Sequence, residues 1–253
     1  MGKTNLYVYL LRHTPQPEEM VAMGAKLCYS SSGIAELKEG IAARDQSAFL
    51  QKLVDMGHLS QIEHAVFTFG IEGVSRSLLA QITRHRIASF SVQSQRYVKK
   101  TKETGSGGVF DYVLPPRIAA LGPEHAAEFD GQMRQIQAWY DLWLERLGDG
   151  GESANEDARF VLPNAAATKI ILTMNARELL HFFRHRCCNR AQWEIRNLAD
   201  AMLFAVRRVA PNIFKQAGPG CLTGPCCEGK MSCGKAAEVR QKYDSDQQSA
   251  TSD

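Results

Sequence analysis

The sequence lacks the long apolar run, about 20 residues, that a membrane-spanning helix needs. It also lacks the apolar segment of a signal peptide, because the run that follows residues 1–5 is too short. Strong charge of one sign is missing as well, since 253 residues carry a formal net charge of only +3, which argues against a dedicated nucleic-acid-binding protein. We therefore expect a soluble, cytoplasmic protein that binds neither membranes nor nucleic acid.

The chain has no C-x-x-C pair of the kind that forms zinc sites, although it contains seven cysteines. Four of them are Cys221, Cys226, Cys227 and Cys233, with four, zero and five residues between successive members. A protein without an export signal keeps its thiols reduced, so free thiols or a metal are favoured over disulfides. We expect no bound metal here, and a four-thiolate site is the alternative.

The composition, 44% hydrophobic and 23% charged, is that of an ordinary globular protein with a substantial core. Apolar runs at residues 6–11 and 65–71 favour strands, whereas 3.6-residue periodicity favours helices at 123–147, 175–186 and 191–209. Residues 169–174 fit either a strand or the end of a helix. No glycine fingerprint of a Rossmann fold is found. The pattern predicts an α/β (α+β) fold, with a mixed sheet flanked by helices.

The domain organisation follows from a change in composition after Pro211. We predict one domain over residues 1–215, followed at 216–253 by a segment rich in cysteine and glycine and then a polar tail. From residue 234 the tail is polar enough that we predict disorder.

Residues 84–97 are the most distinctive stretch, with three arginines, one histidine, three serines, two glutamines and no acidic residue. A helix capped by Ser75 precedes them, so Arg84, His85 and Arg86 fall at its carboxyl end, where positive charge suits the helix dipole. That placement leaves the polar stretch after the helix unexplained. Guanidinium and hydroxyl groups together suit a phosphate, because arginine binds phosphate oxygens in a forked geometry.

The same stretch resembles the signature of the flavin-dependent thymidylate synthases. That signature is arginine-histidine-arginine, seven residues, serine, and arginine-tyrosine two positions later; here it falls on Arg84, His85, Arg86, Ser94, Arg96 and Tyr97. Ser91 and Val92 depart from its typical form, in which asparagine and then glutamate or glutamine are frequent.

The resemblance continues through the second half of the chain and covers about residues 58–209. Its elements there are residues 159–163, then Asn175 and Arg177, then His181 and Arg186, and residues 191–195. A second arginine-histidine-arginine triplet at residues 184–186 has different flanks, and we interpret it as a coincidence.

The resemblance implies a thymidylate-synthase-complementing type of fold and two sets of ligand-binding residues. The residues implied to bind dUMP are Gln81, Arg84, Ser94, Gln95, Arg96, Arg159 and Arg186. The residues implied to bind FAD are His58, Ser60, Arg84, His85, Arg86, Asn175, Arg177 and His181.

The implied reaction is the reductive methylation of dUMP to dTMP, in dTMP biosynthesis, with methylenetetrahydrofolate as carbon donor, NADPH as reductant and FAD as carrier. The family also implies a homotetramer whose sites are shared between subunits. Arg186 is the implied catalytic residue. Its guanidinium, held near N3 and O2 of uracil, would stabilise the negative charge that makes C5 nucleophilic, an effect of roughly 1–3 pKa units.

Alternatives remain for several of these residues when the resemblance is set aside. Arg177 and Arg186 then fit ion pairs on helix faces, and His58 fits a partner for a helix carboxyl end. A hydrolase built on Ser94 lacks an identifiable histidine–carboxylate pair. A zinc-stabilised RNA-binding module, using the basic stretch and the last cysteines, is the alternative function, and the small net charge argues against it.

Overall fold

Four strands from different parts of the chain form a sheet. The computed structural model describes residues 2–100, 107–148 and 151–250. The strands are β1 (Tyr7–His13), β2 (Val66–Ser75), β3 (Ala88–Val92) and β4 (Ala167–Asn175), in the order β1-β2-β4-β3. With the helices described next, they confirm the predicted α/β class.

Ten α-helices lie within the described ranges. They are α1 (Pro17–Leu27), α2 (Ile34–Ala42), α3 (Ser47–Asp55), α4 (Arg76–Ile82), α5 (Pro116–Ala119), α6 (Pro123–Arg146), α7 (Glu152–Ala158), α8 (Ala176–Arg186), α9 (Trp193–Arg207) and α10 (Ala236–Ala250). Three short 3₁₀ helices occupy Gln61–His64, Arg159–Val161 and Gly229–Met231. None of these helices is both long and apolar enough to cross a membrane.

The chain divides into two compact units. The first comprises Met1–Tyr7, Gly70–Arg84 and Phe90–Ile171, and the second comprises Val8–Phe69, His85–Ser89 and Leu172–Asp253. The single domain expected for residues 1–215, with its boundary at 215, stays a prediction.

In the first unit the long helix α6 buries one face, as its sequence periodicity predicts. Met133 packs with Phe110 and Tyr112 in one apolar cluster, and Tyr140 packs with Leu144 in another. The spacing from 133 to 140 to 144 keeps these side chains on one side of an α-helix. The tyrosine hydroxyl of Tyr112 donates to Asp130 of the same helix, at 2.6 Å.

In the second unit the helices α8 and α9 supply much of the core. Phe182 and Phe183 of α8 are fully buried, as are Leu198 and Met202 of α9. The ring of Phe183 contacts Phe214 edge to face, with 6.0 Å between ring centroids. The carboxyl-terminal half of α8 is thereby fixed on a packed surface.

Two strands end in the same way, with a polar residue that caps the helix after it. The Ser75 hydroxyl accepts the backbone N–H of Leu78 at 3.1 Å, and the Asn175 carboxamide oxygen accepts that of Glu178 at 2.9 Å. Both caps were predicted from the sequence and are confirmed. Each capped helix is followed or ended by an arginine-histidine-arginine triplet, so the second triplet repeats the strand–cap–helix setting of the first.

Some elements differ from what the sequence predicts. Residues 169–174 lie in strand β4, which settles the ambiguity between strand and helix. Strand β3 occupies part of the polar stretch after α4, because Phe90 and Val92 alternate with the exposed Ser89 and Ser91.

Helix α10 lies where the polar tail was predicted to be disordered. Val239 and Tyr243, four residues apart, are buried on one face of it. Two buried apolar side chains barely change the composition of a polar segment, so composition did not predict this helix. They are nevertheless enough to give it a buried face. The last three residues of the predicted tail lie outside the described part of the chain.

Candidate functional site

The centre of the candidate site in the second unit is a row of three side chains. The Nδ1 atom of His85 lies 3.0 Å from the Oε1 atom of Glu178, and the Nε of Arg186 donates to the Nε2 of His85 at 3.1 Å. His85 and Glu178 are buried, whereas Arg186 is half-buried. His85 belongs to the loop after α4, and both of its partners belong to α8. Thus the histidine of the signature, His85, contacts the predicted catalytic residue, Arg186.

The electrostatics of this row keep His85 neutral near pH 7. Burial lowers the pKa of the imidazole, the hydrogen bond to Glu178 raises it, and the charges of Arg186 and His181 lower it further. The net direction is below the ordinary histidine value. His185 follows the same direction, because burial and the neighbouring His181 and Arg186 lower its pKa.

A cavity of about 340 Å³ opens beside this row. Basic groups line one part of it, including Arg186, His181 and His185. Its other walls include Cys221 and Cys226, from the cysteine-rich segment. A cavity with guanidinium and imidazole groups on its walls suits an anionic organic ligand.

The structure brings together some of the residues implied to bind FAD and leaves others apart from the cavity. His85 and His181 line it, with 6.1 Å between their ring centroids. Arg177 pairs with Glu63 on the exposed surface. Asn175 uses its side-chain oxygen as the cap of α8, so at least half of its carboxamide has a structural role.

The other FAD-implied residues of this unit are exposed. Arg86 lies in the loop before β3, and His58 and Ser60 lie in the turn between α3 and the 3₁₀ helix Gln61–His64. The Ser60 hydroxyl donates to the neighbouring Gln61 side chain at 3.1 Å. None of the three is among the residues that line the cavity described above.

Apart from Arg186, the residues implied to bind dUMP all fall in the first unit. The Ser94 hydroxyl accepts the backbone N–H of Arg96 at 3.1 Å. Arg96 forms an ion pair with Glu152, and its Nε lies 3.3 Å from Glu156 without hydrogen-bond alignment. Arg159 donates to the backbone oxygen of Glu156 at 3.1 Å. These contacts connect Ser94, Arg96 and Arg159 through α7.

The remaining members of that set surround the end of α4 and the loop after β3. Gln81 is half-buried in the last turn of α4, and Arg84 follows it in an exposed turn. Gln95 is buried. All seven cysteines are free thiols, and no three histidine, cysteine or acidic side chains in the described ranges are placed to hold a metal ion.

Two cysteines next to Arg186 bear on whether a thiol could act as a nucleophile. Burial raises the pKa of Cys187 well above the ordinary thiol value, and the nearby Asp200 raises it further. Cys187 is therefore a neutral thiol in the core. Cys188 is half-buried and lines the cavity.

Sequence reasoning missed Glu178. An acidic residue in the first turn of a helix is expected to favour the helix dipole, and nothing local distinguishes Glu178 from Glu194 in the first turn of α9. A signal was available in its spacing from Arg186, eight residues or about two helical turns. The spacing became informative only when the structure placed His85 between Glu178 and Arg186.

The fold and the cavity together define an α/β protein with a cationic, imidazole-containing site for an anionic ligand. A family model described as thymidylate synthase complementing protein matches residues 9–212. The chain therefore belongs to that family, as the signature resemblance predicted.

Relatives in several bacteria align with nearly the whole of this sequence. A flavin-dependent thymidylate synthase of Geobacter sulfurreducens is 56% identical, over 93% of this chain and 97% of its own. The one from Clostridium tetani is 50% identical over 96% and 99%, and the one from Nitratidesulfovibrio vulgaris is 47% identical over 93% and 97%. These matches extend past residue 212, so they include the cysteine-rich segment. None of these comparisons supports an RNA-binding module.

Proposed function

We propose that this protein is an FAD-dependent thymidylate synthase, which reductively methylates dUMP to dTMP in dTMP biosynthesis. Methylenetetrahydrofolate donates the carbon and NADPH is the reductant. The observation that carries the proposal is the placement of Arg186: in a chain similar to flavin-dependent thymidylate synthases over nearly its whole length, this guanidinium contacts His85 and borders a cavity.

The residues present fit FAD. His181 offers an imidazole N–H at the cavity and Arg186 offers N–H groups and positive charge there, as a flavin ring with its carbonyls and a diphosphate require. Asn175 caps α8 through its oxygen and can donate through its nitrogen. We assign FAD binding to His58, Ser60, Arg84, His85, Arg86, Asn175, Arg177 and His181. When bound, FAD supplies the hydride that NADPH provides.

Arg186 activates the pyrimidine in this proposal. An arginine stays charged when half-buried, because its guanidinium keeps its proton far above neutral pH. Near N3 and O2 of uracil, this charge stabilises negative charge in the ring and makes C5 nucleophilic toward the one-carbon unit. An opposite charge at close range shifts an ionisation by roughly 1–3 pKa units, which is about 1.4–4 kcal/mol.

The dUMP phosphate is assigned to the first unit. Ser94, Arg96 and Arg159 are connected through α7, and a guanidinium has five N–H donors, so Arg96 can bind phosphate while it keeps a carboxylate partner. Gln81, Arg84 and Gln95 complete the proposed set. The Ser94 hydroxyl accepts a backbone N–H, an arrangement that suits a phosphate ligand better than an activated nucleophile.

We also propose a homotetramer whose sites are shared between subunits, in the cytoplasm. Large apolar side chains are exposed in both units: Tyr9 and Trp139 at 50% and Phe160 at 82%. Such side chains at a protein surface favour burial against another chain. Seven free cysteines agree with a reducing compartment.

The proposal is tested by an absorbance spectrum and an assay. The purified protein should show bound flavin that comigrates with FAD after denaturation, and it should form dTMP only when dUMP, methylenetetrahydrofolate and NADPH are all present. A colourless protein that also fails to bind added FAD would overturn the proposal.

A further inference from the structure

We propose that Glu178 is a positioning residue, which acts through His85 to hold the guanidinium of Arg186 in the orientation that the reaction needs. The inference rests on the proposed function, because it assigns a role to a neighbour of the proposed catalytic arginine. It adds a residue to the site that neither the signature nor the sequence pattern marks.

The two hydrogen bonds of His85 each have a defined direction. The Nε–H of arginine can only donate, so the Nε2 atom of His85, 3.1 Å away, must accept. A neutral imidazole that accepts at Nε2 carries its proton on Nδ1. That proton is donated to the Oε1 atom of Glu178 at 3.0 Å.

Glu178 selects this tautomer of His85. A carboxylate can only accept, and a hydrogen bond to it is stronger than one between neutral groups. With Nδ1–H fixed by Glu178, the lone pair of Nε2 points at Arg186. In the other tautomer Nε2–H would face the Nε–H of Arg186, donor against donor, while Nδ1 faced the carboxylate, acceptor against acceptor.

The row formed by Glu178, His85 and Arg186 is held rigidly. Glu178 is 7% exposed and His85 8% exposed, so neither group can exchange its partner freely for water. Glu178 is in the first turn of α8, and its own backbone N–H is bound by the Asn175 cap. The imidazole also contacts Phe182 edge to face, at 5.0 Å between centroids. The orientation of Arg186 is thus set from a capped and packed helix.

The row makes the reaction sensitive to acid. The charged or titratable groups that act on His85 are Glu178, His181 and Arg186, all from α8. Burial, His181 and Arg186 lower the pKa of His85, and Glu178 raises it. Protonation of His85 would put an N–H donor and a positive charge against Arg186. We therefore expect dTMP formation to fall as the pH drops through the pKa of His85.

Glu178→Gln, compared with the wild-type holoenzyme, tests the role of the carboxylate. Glutamine has the same size, but its amide can donate to Nδ1, so the tautomer is no longer fixed. We expect dTMP formation to decrease about tenfold to a hundredfold, while FAD reduction by NADPH stays within about threefold. Loss of the anion removes a group that raises the His85 pKa, so the acid limb of the dTMP rate profile should move to lower pH.

Asp200→Asn is the matched control, because Asp200 is a buried carboxylate of α9 that accepts from Tyr243. We expect it to lower the melting temperature and to leave the acid limb in place. If Glu178→Gln lowers both half-reactions equally at every pH, or leaves dTMP formation unchanged, Glu178 is structural and the proposal fails.

A spectroscopic measurement on the wild-type protein does not depend on the variant folding or on turnover. With ¹⁵N-labelled histidine, His85 should show a protonated Nδ1 and an unprotonated Nε2 at pH 7.5, its signals identified by their loss in His85→Gln. The opposite tautomer, or an imidazolium, would overturn the proposal. Absence of dTMP formation by the wild-type enzyme would instead refute the proposed function, since the tautomer is read without substrates.

Discussion

Arg186 is contacted through its Nε by an imidazole, and the kind of partner matters for its chemistry. A neutral histidine orients the guanidinium without cancelling its charge. Arg177 on the same helix is paired with the carboxylate of Glu63, which does neutralise it. The two arginines therefore differ in these contacts, and Arg186 is the one of the two that borders the cavity.

Replacement of Arg186 separates the two halves of the reaction. Arg186→Ala should lower dTMP formation at least a hundredfold, equal to about 2.7 kcal/mol of barrier, while FAD reduction by NADPH remains within about threefold. Arg186→Lys is the matched variant, since it keeps the charge but loses the Nε–H that binds His85. Stopped-flow absorbance of the flavin and product analysis give the two rates; an equal loss of both would make Arg186 structural or a flavin ligand.

The cysteines beside Arg186 are not expected to attack uracil. Burial raises the pKa of Cys187, so its thiolate is scarce at neutral pH, and a thiol is a poor nucleophile. The double substitution of Cys187 and Cys188 by serine should leave dTMP formation within about tenfold, or ~1.4 kcal/mol. Tetrahydrofolate should be the folate product, because in the proposed reaction the hydride comes from reduced FAD.

The same assay shows what would contradict this view of the thiols. Dihydrofolate formed in the same amount as dTMP would make folate the hydride donor. A double variant that folds and binds FAD but forms no dTMP would make one of these cysteines essential.

At the scale of elements, the strand–cap–helix arrangement is the feature that the sequence encodes most directly. Ser75 and Asn175 each accept one backbone N–H that the first turn of a helix would otherwise leave unpaired. The Asn175 cap starts the helix that carries Glu178 and Arg186, so it contributes both to stability and to the position of the site.

Removal of the Asn175 cap is expected to cost about 1 kcal/mol of unfolding free energy. Asn175→Ala should lower the melting temperature by about 2–4 °C, as expected for a chain of this size. Asn175→Asp keeps an acceptor and adds favourable charge at a helix amino terminus, so it should retain the wild-type melting temperature in the FAD-free protein, where both variants are measured. If the alanine variant melted like the wild type, the cap would contribute nothing measurable.

Helix α10 is attached to the second unit by buried polar contacts. Arg207 is 3% exposed and donates to the backbone oxygens of Phe214, Ala217 and Tyr243. The Tyr243 hydroxyl donates to Asp200. A buried guanidinium and a buried carboxylate therefore both depend on partners that this helix supplies or helps to place.

Tyr243→Phe tests how much this attachment contributes. The change leaves the buried Asp200 without one donor, which should cost about 1–3 kcal/mol of unfolding free energy. Thermal melting should show the loss, whereas Tyr29→Phe, at a residue 70% exposed, should melt like the wild type. Equal melting temperatures for all three proteins would mean that the hydroxyl of Tyr243 does not stabilise the fold.

At the scale of the whole molecule, the distribution of the proposed ligand residues is informative. Apart from Arg186, the dUMP set belongs to the first compact unit; apart from Arg84, the FAD set belongs to the second. The proposed sharing of sites between subunits would give such a distribution a function, because each unit could then contribute to a site that one chain does not complete.

The mass of the oligomer in solution tests the proposed sharing of sites. Light scattering on the FAD-bound enzyme should give four times the 28.1 kDa of one chain. Tyr9→Lys, at a half-exposed position of β1, should shift the mass toward smaller species and lower dTMP formation in parallel. A fully active monomer would exclude shared sites.

The sequence by itself determined the features that depend on neighbouring residues. The caps at Ser75 and Asn175 and the buried face of α6 follow from side-chain chemistry and from 3.6-residue periodicity. The signature from Arg84 to Tyr97 pointed to the family. Its defining residues and their spacing are present, although Ser91 and Val92 depart from the typical form.

Only the tertiary structure decided which distant groups meet. Glu178 and His85 are 93 positions apart, and His85 and Arg186 are 101 apart. Nothing local encodes such a meeting, because it results from packing of α8 against other elements. Helix α10 is a similar case. Its sequence is polar, and its packing on the second unit depends on distant partners: the Tyr243 hydroxyl lies within hydrogen-bond distance of Asp200 and of the backbone oxygen of Cys187. Local patterns start helices and strands, whereas burial selects the pairs of side chains that do the chemistry.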